Sequence, residues 1–306
     1  MRAFIFPGQG SQAVGMGAAL AGASRVAREL FQEVDEALGQ NLARLMADGP
    51  LEDLTLTENA QPAIMANALA TLRTSGIDIA QASFVAGHSL GEYTALAAAG
   101  SFEVATTARL LKLRGQAMQQ AVPVGEGAMA ALLGADLELA QRVAEAAAQG
   151  EVCTVANDND PGQVVLSGHR GAVERALGIA KEMGAKRAVL LPVSAPFHSP
   201  LMEPAADAME QALGDAEIRR PAVPLYANVT AAPVQDAAEI RRLLVEQVTG
   251  MVRWRESVAA MAEAGVTHFV EFGGKVLAPM VKRIAPDATV TSVVTMDDID
   301  SLVKEI

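Results

Sequence analysis

Ser89 is the centre of the pentapeptide Gly-His-Ser-Leu-Gly at residues 87–91. Residues 82–86 form a short apolar run typical of a strand, and residues 92–99 have a helical pattern that Gly100 ends. A serine on a tight turn from strand to helix matches the nucleophile elbow, whose glycines accept strained backbone angles. The helix then directs its N-terminal amides at any group bonded to the hydroxyl. The pattern predicts a catalytic serine, and the alternative is a glycine-rich turn that holds an incidental serine.

A nucleophilic serine needs a base, and the chain offers four histidines. His88 adjoins the serine on the turn, where consecutive side chains usually diverge. His169 belongs to a segment whose strands pair locally, and His268 opens a strand, which places it at the sheet end opposite the elbow. His198 lies in a loop that a proline on each side stiffens. We therefore predict that His198 is the base.

The order of these residues bears on the class of enzyme. In ordinary α/β-hydrolases the base follows the last strand of the sheet. No histidine follows the last predicted strand, residues 289–294. An esterase or lipase of the common type is therefore disfavoured.

Arg114 is an unexpected charge on the helix predicted over residues 101–121. It falls inside the apolar arc of that helix, three residues after Leu111 and four before Met118. A buried arginine needs an anionic partner, because an unpaired buried charge is very costly. Three interpretations stay open from the pattern alone: a structural salt bridge, a side chain that reaches out of the arc to water, or a docking point for a substrate carboxylate.

The elements that carry these residues alternate between strands and helices, which predicts an α/β protein with a mostly parallel sheet. Residues 125–195 interrupt this order with the succession β-α-β-β-α-β, which is the ferredoxin-like unit. We therefore expect an α/β-hydrolase-like catalytic domain from residues 1–124 and 196–306, and an inserted ferredoxin-like (βαββαβ) subdomain from residues 125–195. Residues 157–162 (Asn-Asp-Asn-Asp-Pro-Gly) are expected to form a turn between two strands of that subdomain.

Two further local patterns carry expectations. Pro62 is expected in the first turn of a helix that continues to about residue 74. The glycines at positions 8 and 10 follow a strand and could begin a dinucleotide-binding loop. That fold requires a second strand that ends in an acidic residue about 20 residues on, whereas residues 24–38 are charged and helical. The nucleotide interpretation is therefore rejected.

Composition limits the partners. The 306 residues include 51% hydrophobic and 20% charged side chains, and the net charge is −12. So acidic a chain is not expected to bind nucleic acid, which needs a basic surface. One cysteine, Cys153, excludes an internal disulfide and suits a reducing compartment. No apolar run approaches membrane-spanning length and no signal peptide is evident, so we expect no membrane partner and a cytoplasmic location.

The chain resembles the malonyl-CoA:acyl carrier protein transacylases of bacterial fatty-acid synthesis. The shared motifs occur in the same order along nearly the whole chain and lie at residues 6–12, 61–63, 87–93, 114–118, 196–199, 247–249, 252–254 and 274–277. Each motif is weak alone, whereas the combination is highly specific. The resemblance implies two substrates, malonyl-CoA and acyl carrier protein, with no further cofactor and no metal, and we expect a monomer.

The resemblance also implies roles for individual residues. Ser89 would carry the malonyl group and His198 would move the proton, held in place by a backbone carbonyl at Gln247. The backbone amides of Gln9 and Leu90 would form the oxyanion hole.

The remaining roles concern the substrates. Arg114 would clamp the malonyl carboxylate, which an acetyl group lacks. The other residues expected to bind substrate are Gln61, His88, Met118 and Phe197, and Phe197 is expected to limit room for an α-methyl branch. Cations of the inserted segment, expected to cluster near the cleft, are the candidates for contact with the acidic carrier protein: Lys181, Lys186 and Arg187, with Arg170.

Two other functions stay open from the sequence. One is a thioesterase or related serine hydrolase, which would release free malonate. The other is a non-catalytic or trans-acting acyltransferase of a polyketide assembly line, since such proteins share these motifs.

Overall fold

A computed structural model describes all residues, 1–306. Its strands form two separate sheets, one with six strands and one with four. The strands, in chain order, are β1 (Arg2–Phe6), β2 (Phe84–Gly87), β3 (Gly127–Leu133), β4 (Cys153–Asp160), β5 (Gln163–His169), β6 (Arg187–Leu190), β7 (Leu225–Ala227), β8 (Ala232–Val234), β9 (His268–Phe272) and β10 (Thr289–Val293).

Fourteen helices surround these sheets. Those that precede β3 are α1 (Ala18–Ala23), α2 (Arg25–Leu38), α3 (Leu42–Asp48), α4 (Leu51–Thr55), α5 (Thr57–Ser75), α6 (Leu90–Ala98) and α7 (Val104–Gln120). Those that follow β3 are α8 (Leu137–Ala148), α9 (Arg170–Glu182), α10 (Glu203–Asp215), α11 (Ala237–Thr249), α12 (Trp254–Glu263), α13 (Ala278–Ile284) and α14 (Met296–Glu305).

The larger sheet has the order β10-β9-β1-β2-β7-β8, and every pair in it is parallel except β7 with β8. β1 and β2 are central and almost wholly buried, as expected for strands with helices on both faces. Because the strands are parallel, their carboxyl ends share one edge of the sheet. The elbow after β2, the loop after β1 and the residue after β7 therefore meet there, which confirms the predicted α/β class.

The smaller sheet is fully antiparallel and has the order β4-β5-β3-β6. This is the strand order of the ferredoxin-like unit, with α8 and α9 packed on one face over a separate cluster of buried apolar residues. The observed order of elements from residue 127 to residue 190 is β-α-β-β-α-β. The predicted ferredoxin-like fold of this segment is therefore confirmed.

Two local expectations were wrong. Residues 157–160 continue β4 instead of forming a turn, and only residues 161 and 162 turn the chain. Three of their buried side chains bind residues far along the chain: Asp158 pairs with Arg255, Asn159 bonds to His88, and Asp160 pairs with Arg283. Local sequence does not reveal these partners. Pro62 lies in the interior of α5 as its sixth residue, since the helix begins at Thr57.

α5 itself is buried along nearly its full length and lies at the centre of the main core. No helix of the chain is both long and apolar enough to cross a membrane.

Candidate active site

The turn after β2 holds Ser89 in a strained conformation. Its φ is 53°, a value that side-chain-bearing residues rarely adopt. A Cβ at Gly87 would lie 1.9 Å from the carbonyl of Gly91, and one at Gly91 would lie 2.3 Å from the carbonyl oxygen of Phe6. Both glycines are therefore required by close backbone contacts, which is the physical basis of the Gly-x-Ser-x-Gly pattern.

His198 lies beside the serine. Its Nε2 is 2.7 Å from Ser89 Oγ, and its Nδ1 is 2.8 Å from the backbone oxygen of Gln247 and 3.2 Å from that of Gly250. A carbonyl oxygen can only accept, so Nδ1 carries the proton and Nε2 is left as the acceptor for the serine hydroxyl. The imidazole is thereby oriented as a base without a carboxylate partner.

The protonation state of His198 suits that role. Burial, and to a smaller extent the charge of Arg114, lower the pKa of His198. The two carbonyl contacts oppose this only in part, and the resulting pKa is about 3. The side chain is only 4% exposed. The imidazole is therefore neutral at physiological pH and available to take a proton.

Arg114 projects from α7 into the same site and is 1% exposed. Nη1 donates to Gln61 Oε1 at 2.8 Å, and Nη2 donates to Gln247 Oε1 at 2.8 Å and to Ser89 Oγ at 3.1 Å. Its guanidinium also lies 5.6 Å from the centroid of the Tyr93 ring. No carboxylate forms an ion pair with it, so neither a structural salt bridge nor a side chain reaching to water describes it. It is a buried cation held by neutral groups.

A cavity of about 320 Å³ opens beside Ser89. It brings together most of the predicted site residues, and its wall includes Gln9, Gln61, His88, Ser89, Leu90, Arg114, Met118, Phe197 and His198. Gln247 lies behind this wall and reaches the site through its hydrogen bonds to His198 and Arg114.

Two residues that line this cavity, Gln9 and Leu90, have backbone N–H groups without a hydrogen-bond partner in the chain. Leu90 is the first residue of α6, so its N–H has no acceptor within the helix. The N–H of Gln9, in the loop after β1, makes no hydrogen bond within the chain. Unpaired donors beside a nucleophile are suited to stabilise a developing oxyanion.

Sequence reasoning missed three polar residues that hold the site. Asn228 receives the N–H of Ser89 at 2.8 Å and donates to the carbonyl of Gly87 at 2.7 Å, so it clamps both sides of the elbow. Glu92 accepts from the side-chain amide of Gln247. Asn228 directly follows β7, a buried strand of the sheet that carries the elbow, and so lies at the same carboxyl edge as Ser89. This position was the signal that could have identified it.

Asn159 is the third missed residue, and it joins the two sheets. Its Oδ1 lies 2.8 Å from Nε2 of His88. Burial lowers the pKa of His88, so its neutral ring donates to the amide oxygen through Nε2. His88 thus lines the cavity from a fixed position.

The predicted carrier-protein contacts lie away from the cavity. Lys181 is the penultimate residue of α9, Lys186 directly precedes β6, and Arg187 begins it; all three are exposed and none forms an ion pair. β6 leads directly to Leu191, which lines the cavity. Arg170 begins α9 and pairs with Glu174, and Lys181 lies eleven positions further along the helix, about 16 Å away. Arg170 is therefore not part of that cluster.

Taken together, the geometry supports acyl transfer through an ester of Ser89. The nucleophile, a neutral base, two residues with free amide donors and a buried cation all line one cavity. A ligand with an acyl carbon and a nearby anionic group would satisfy all of them.

Comparisons with known proteins agree with this chemistry. The sequence model of the acyl transferase domain family matches residues 3–283. The malonyl CoA-acyl carrier protein transacylase of Bacillus subtilis is 46% identical over 92% of this chain and 90% of its own length. The crystal structure of an acyl-carrier-protein S-malonyltransferase from Bartonella henselae superposes with a TM-score of 0.97 at 49% identity, covering 99% of this chain and 98% of that one.

A second similar structure holds a partner. It is a malonyl-transacylase in complex with its type II PKS acyl-carrier protein, with a TM-score of 0.96, 40% identity, and coverage of 100% of this chain and 99% of the other.

Proposed function

The chain belongs to the acyl transferase family as one of its malonyl-CoA:acyl carrier protein transacylases, and we propose that Ser89 is the residue that carries the malonyl group. The enzyme transfers malonyl from malonyl-CoA to acyl carrier protein in fatty-acid synthesis. The observation that carries the assignment of the serine is its 2.7 Å contact with a base whose other nitrogen is held by a carbonyl.

In the first step, Ser89 Oγ attacks the thioester carbon while His198 Nε2 takes its proton. The carbonyl oxygen becomes negative and receives the amides of Gln9 and Leu90. Removal of one such donor typically slows a reaction by about 10²–10³. The intermediate then expels the CoA sulfur, which receives the proton from His198, and malonyl-serine remains.

In the second step, the thiol of the carrier protein's phosphopantetheine arm attacks the malonyl ester, and His198 takes the thiol proton. Collapse of the intermediate returns this proton to Ser89 Oγ as malonyl leaves on the new sulfur. The proton balance closes in each half, so the enzyme needs no other acid or base.

Arg114 is proposed to select malonyl by pairing with its free carboxylate. Arginine and carboxylate form a two-pronged, charge-assisted pair. An acetyl group would leave the cation without an anion in a site where it is 1% exposed. Gln61, Met118 and His88 shape the remaining wall, and Phe197 beside the base limits room for an α-methyl branch.

Intact-mass measurement tests the carrier serine. The protein mixed with malonyl-CoA should gain the mass of one malonyl group, and added carrier protein should remove it. Ser89→Ala should gain nothing, whereas the control Ser83→Ala, a serine just before β2, should behave as the unmodified protein. Malonate release without an adduct would instead indicate a hydrolase, and discharge only by polyketide carrier proteins would indicate an assembly-line enzyme.

We further propose that the acidic acyl carrier protein contacts Lys181, Lys186 and Arg187. These exposed cations have no acidic partner in the chain and lie beside the strand that leads into the cavity. A local basic patch can steer an acidic partner despite the net charge of −12.

Charge reversal tests this contact. Lys186→Glu with Arg187→Glu should raise the KM for carrier protein about tenfold at low salt, and leave malonyl-serine formation unchanged. The control Lys304→Glu, on the exposed face of α14, should change neither half-reaction. Unaltered carrier-protein kinetics in the double variant would exclude this surface.

We also propose a domain organisation, an oligomeric state and a location for the enzyme. Residues 125–195 are an inserted subdomain of the catalytic domain formed by residues 1–124 and 196–306; the separate apolar cluster beneath the small sheet supports this. The enzyme works as a monomer, which sedimentation velocity can measure. It works in the cytoplasm, which the free, buried thiol of Cys153 suits.

A further inference from the structure

Glu92 is a buried carboxyl group that the proposed transfer does not use. It lies in the first turn of α6, three residues after the nucleophile, and is 1% exposed. Its Oε2 accepts from Gln247 Nε2 at 2.5 Å, and its Oε1 accepts from the backbone N–H of Asn228 at 3.2 Å. No cation forms an ion pair with it, so its charge is compensated less directly than burial usually requires.

One amide group connects Glu92 to Arg114. Gln247 Oε1 accepts from Arg114 Nη2 at 2.8 Å, while Gln247 Nε2 donates to Glu92. The same Nε2 donates to the backbone oxygen of Ser89 at 2.9 Å, which excludes the flipped amide. The buried cation and the buried carboxyl group therefore sit at the two ends of one fixed hydrogen-bonded bridge.

Arg114 is the charged neighbour of Glu92, because the other titratable groups around Glu92 are neutral. Burial raises the pKa of Glu92, and the contacts with Gln247, Asn228 and Arg114 oppose this increase only in part. The resulting pKa is about 7. Tyr93 on the same helix stays a neutral phenol, because burial raises its pKa. His198 on the facing loop stays neutral because burial lowers its pKa. Glu92 is therefore the group of this site that can change its charge near neutral pH.

We propose that Glu92 is the counter-ion of Arg114 in the empty enzyme and takes up a proton when a malonyl carboxylate binds Arg114. The inference rests on the proposed malonyl ester of Ser89. A malonyl group brings a second anion to a buried site that holds one cation. Two anions repel each other there, and protonation of Glu92 removes the repulsion while the malonyl carboxylate keeps the arginine.

The proton comes from solvent and is separate from the proton of the transfer, which passes from Ser89 through His198 to the CoA sulfur. Proton binding and malonyl binding are thermodynamically linked, which fixes the direction of the pH dependence. If malonyl binding favours protonated Glu92, then protons favour malonyl binding, and occupancy of malonyl-serine falls as the pH rises through about 7. An acetyl group carries no second anion, so its occupancy has no such dependence.

Proton uptake measures this directly. The protein and malonyl-CoA are mixed at pH 7.5 in weak buffer with a pH indicator, and ester formation is counted by intact mass. We expect about 0.5–0.8 proton taken up per malonyl-serine, since roughly three quarters of Glu92 is ionised at that pH. Acetyl-CoA is the matched control, because it releases the same thiol and should show no such uptake.

Glu92→Gln assigns the proton to this residue, because glutamine copies the shape of the protonated acid. In that variant, uptake per malonyl-serine should vanish and the pH dependence of malonyl occupancy should flatten. Equal proton changes for malonyl and acetyl in the unaltered protein would overturn the inference, and that comparison needs no variant. Absence of any adduct on Ser89 would instead overturn the proposed function.

Discussion

Arg114 Nη2 donates to the hydroxyl oxygen of Ser89 across 3.1 Å. In the empty site the cation therefore touches the atom that attacks the substrate, and it favours a developing negative charge on that oxygen. Esterification converts this oxygen to a weaker acceptor. The Nη2 donor that contacted Ser89 then becomes available to the carboxylate at the far end of the acyl group. Gln61 and Gln247 still hold the guanidinium by their own hydrogen bonds.

Removal of the Arg114 cation should therefore reduce the preference for malonyl over acetyl more than it reduces the rate at which Ser89 is acylated. Arg114→Ala is expected to lower the preference for malonyl-CoA over acetyl-CoA by about 10²–10³, the factor that corresponds to breaking a buried ion pair. The measurement is the ratio of the two acylation rate constants by intact mass. Arg109→Ala, an exposed arginine on the same helix, is the control. An unchanged ratio in Arg114→Ala would exclude the clamp.

The lowered pKa of His198 predicts an unusual pH profile. Because the pKa is about 3, the imidazole stays neutral and basic far below the range of an ordinary histidine. Inactivation by phenylmethylsulfonyl fluoride, measured in Glu92→Gln because Glu92 itself titrates near pH 7, should keep its rate between pH 8 and pH 5. A histidine with the ordinary pKa would lose about thirtyfold over that interval. A midpoint near pH 6.5 would contradict the burial argument.

Asn228 should be needed for the shape of the elbow. In Asn228→Asp, one carboxylate oxygen can still accept from Ser89, but the other faces the carbonyl oxygen of Gly87, where a donor stood. We expect a loss of about 1–3 kcal/mol in the free energy of unfolding, and malonylation at least about tenfold slower. Urea unfolding and intact mass measure these. Asn41→Asp, at the exposed N-cap of α3, should change neither, because both residues cap well.

The buried ion pair between Asp158 of β4 and Arg255 of α12 should respond asymmetrically to the loss of either partner. Asp158 is fully buried, whereas its partner Arg255, at 2.8 Å, keeps 32% of its side chain exposed. Arg255→Ala strands a buried carboxylate and should cost about 2–4 kcal/mol. Asp158→Asn leaves an arginine that water can reach and should cost about 1–2 kcal/mol. Urea unfolding measures both costs, and a larger cost for Asp158→Asn than for Arg255→Ala would contradict this prediction.

A surface pair provides the baseline for that comparison. Arg25 and Glu29 form an ion pair on α2 with side chains 82% and 58% exposed. Arg25→Ala should change the free energy of unfolding by no more than about 0.5 kcal/mol.

The features that the sequence determined by itself are local. The elbow follows from glycines that only a tight strand-to-helix turn requires. The place of Arg114 within the apolar arc of its helix follows from helical spacing, and the ferredoxin-like order follows from a succession of short patterns. Each depends on residues within about one turn or one strand of each other, so periodicity and turn chemistry were sufficient to predict them.

The tertiary structure decided what those residues contact. Ser89 and His198 are 109 positions apart, and Glu92 and Gln247 are 155 apart. Residues 157–160 look like a turn, yet they form a strand because Arg255 and Arg283 neutralise their two buried aspartates. Arg114 proved to be held by amides, with its nearest carboxyl group one glutamine away. Such partners come together only when distant segments pack, and local sequence carries no record of which neutral or charged group will arrive.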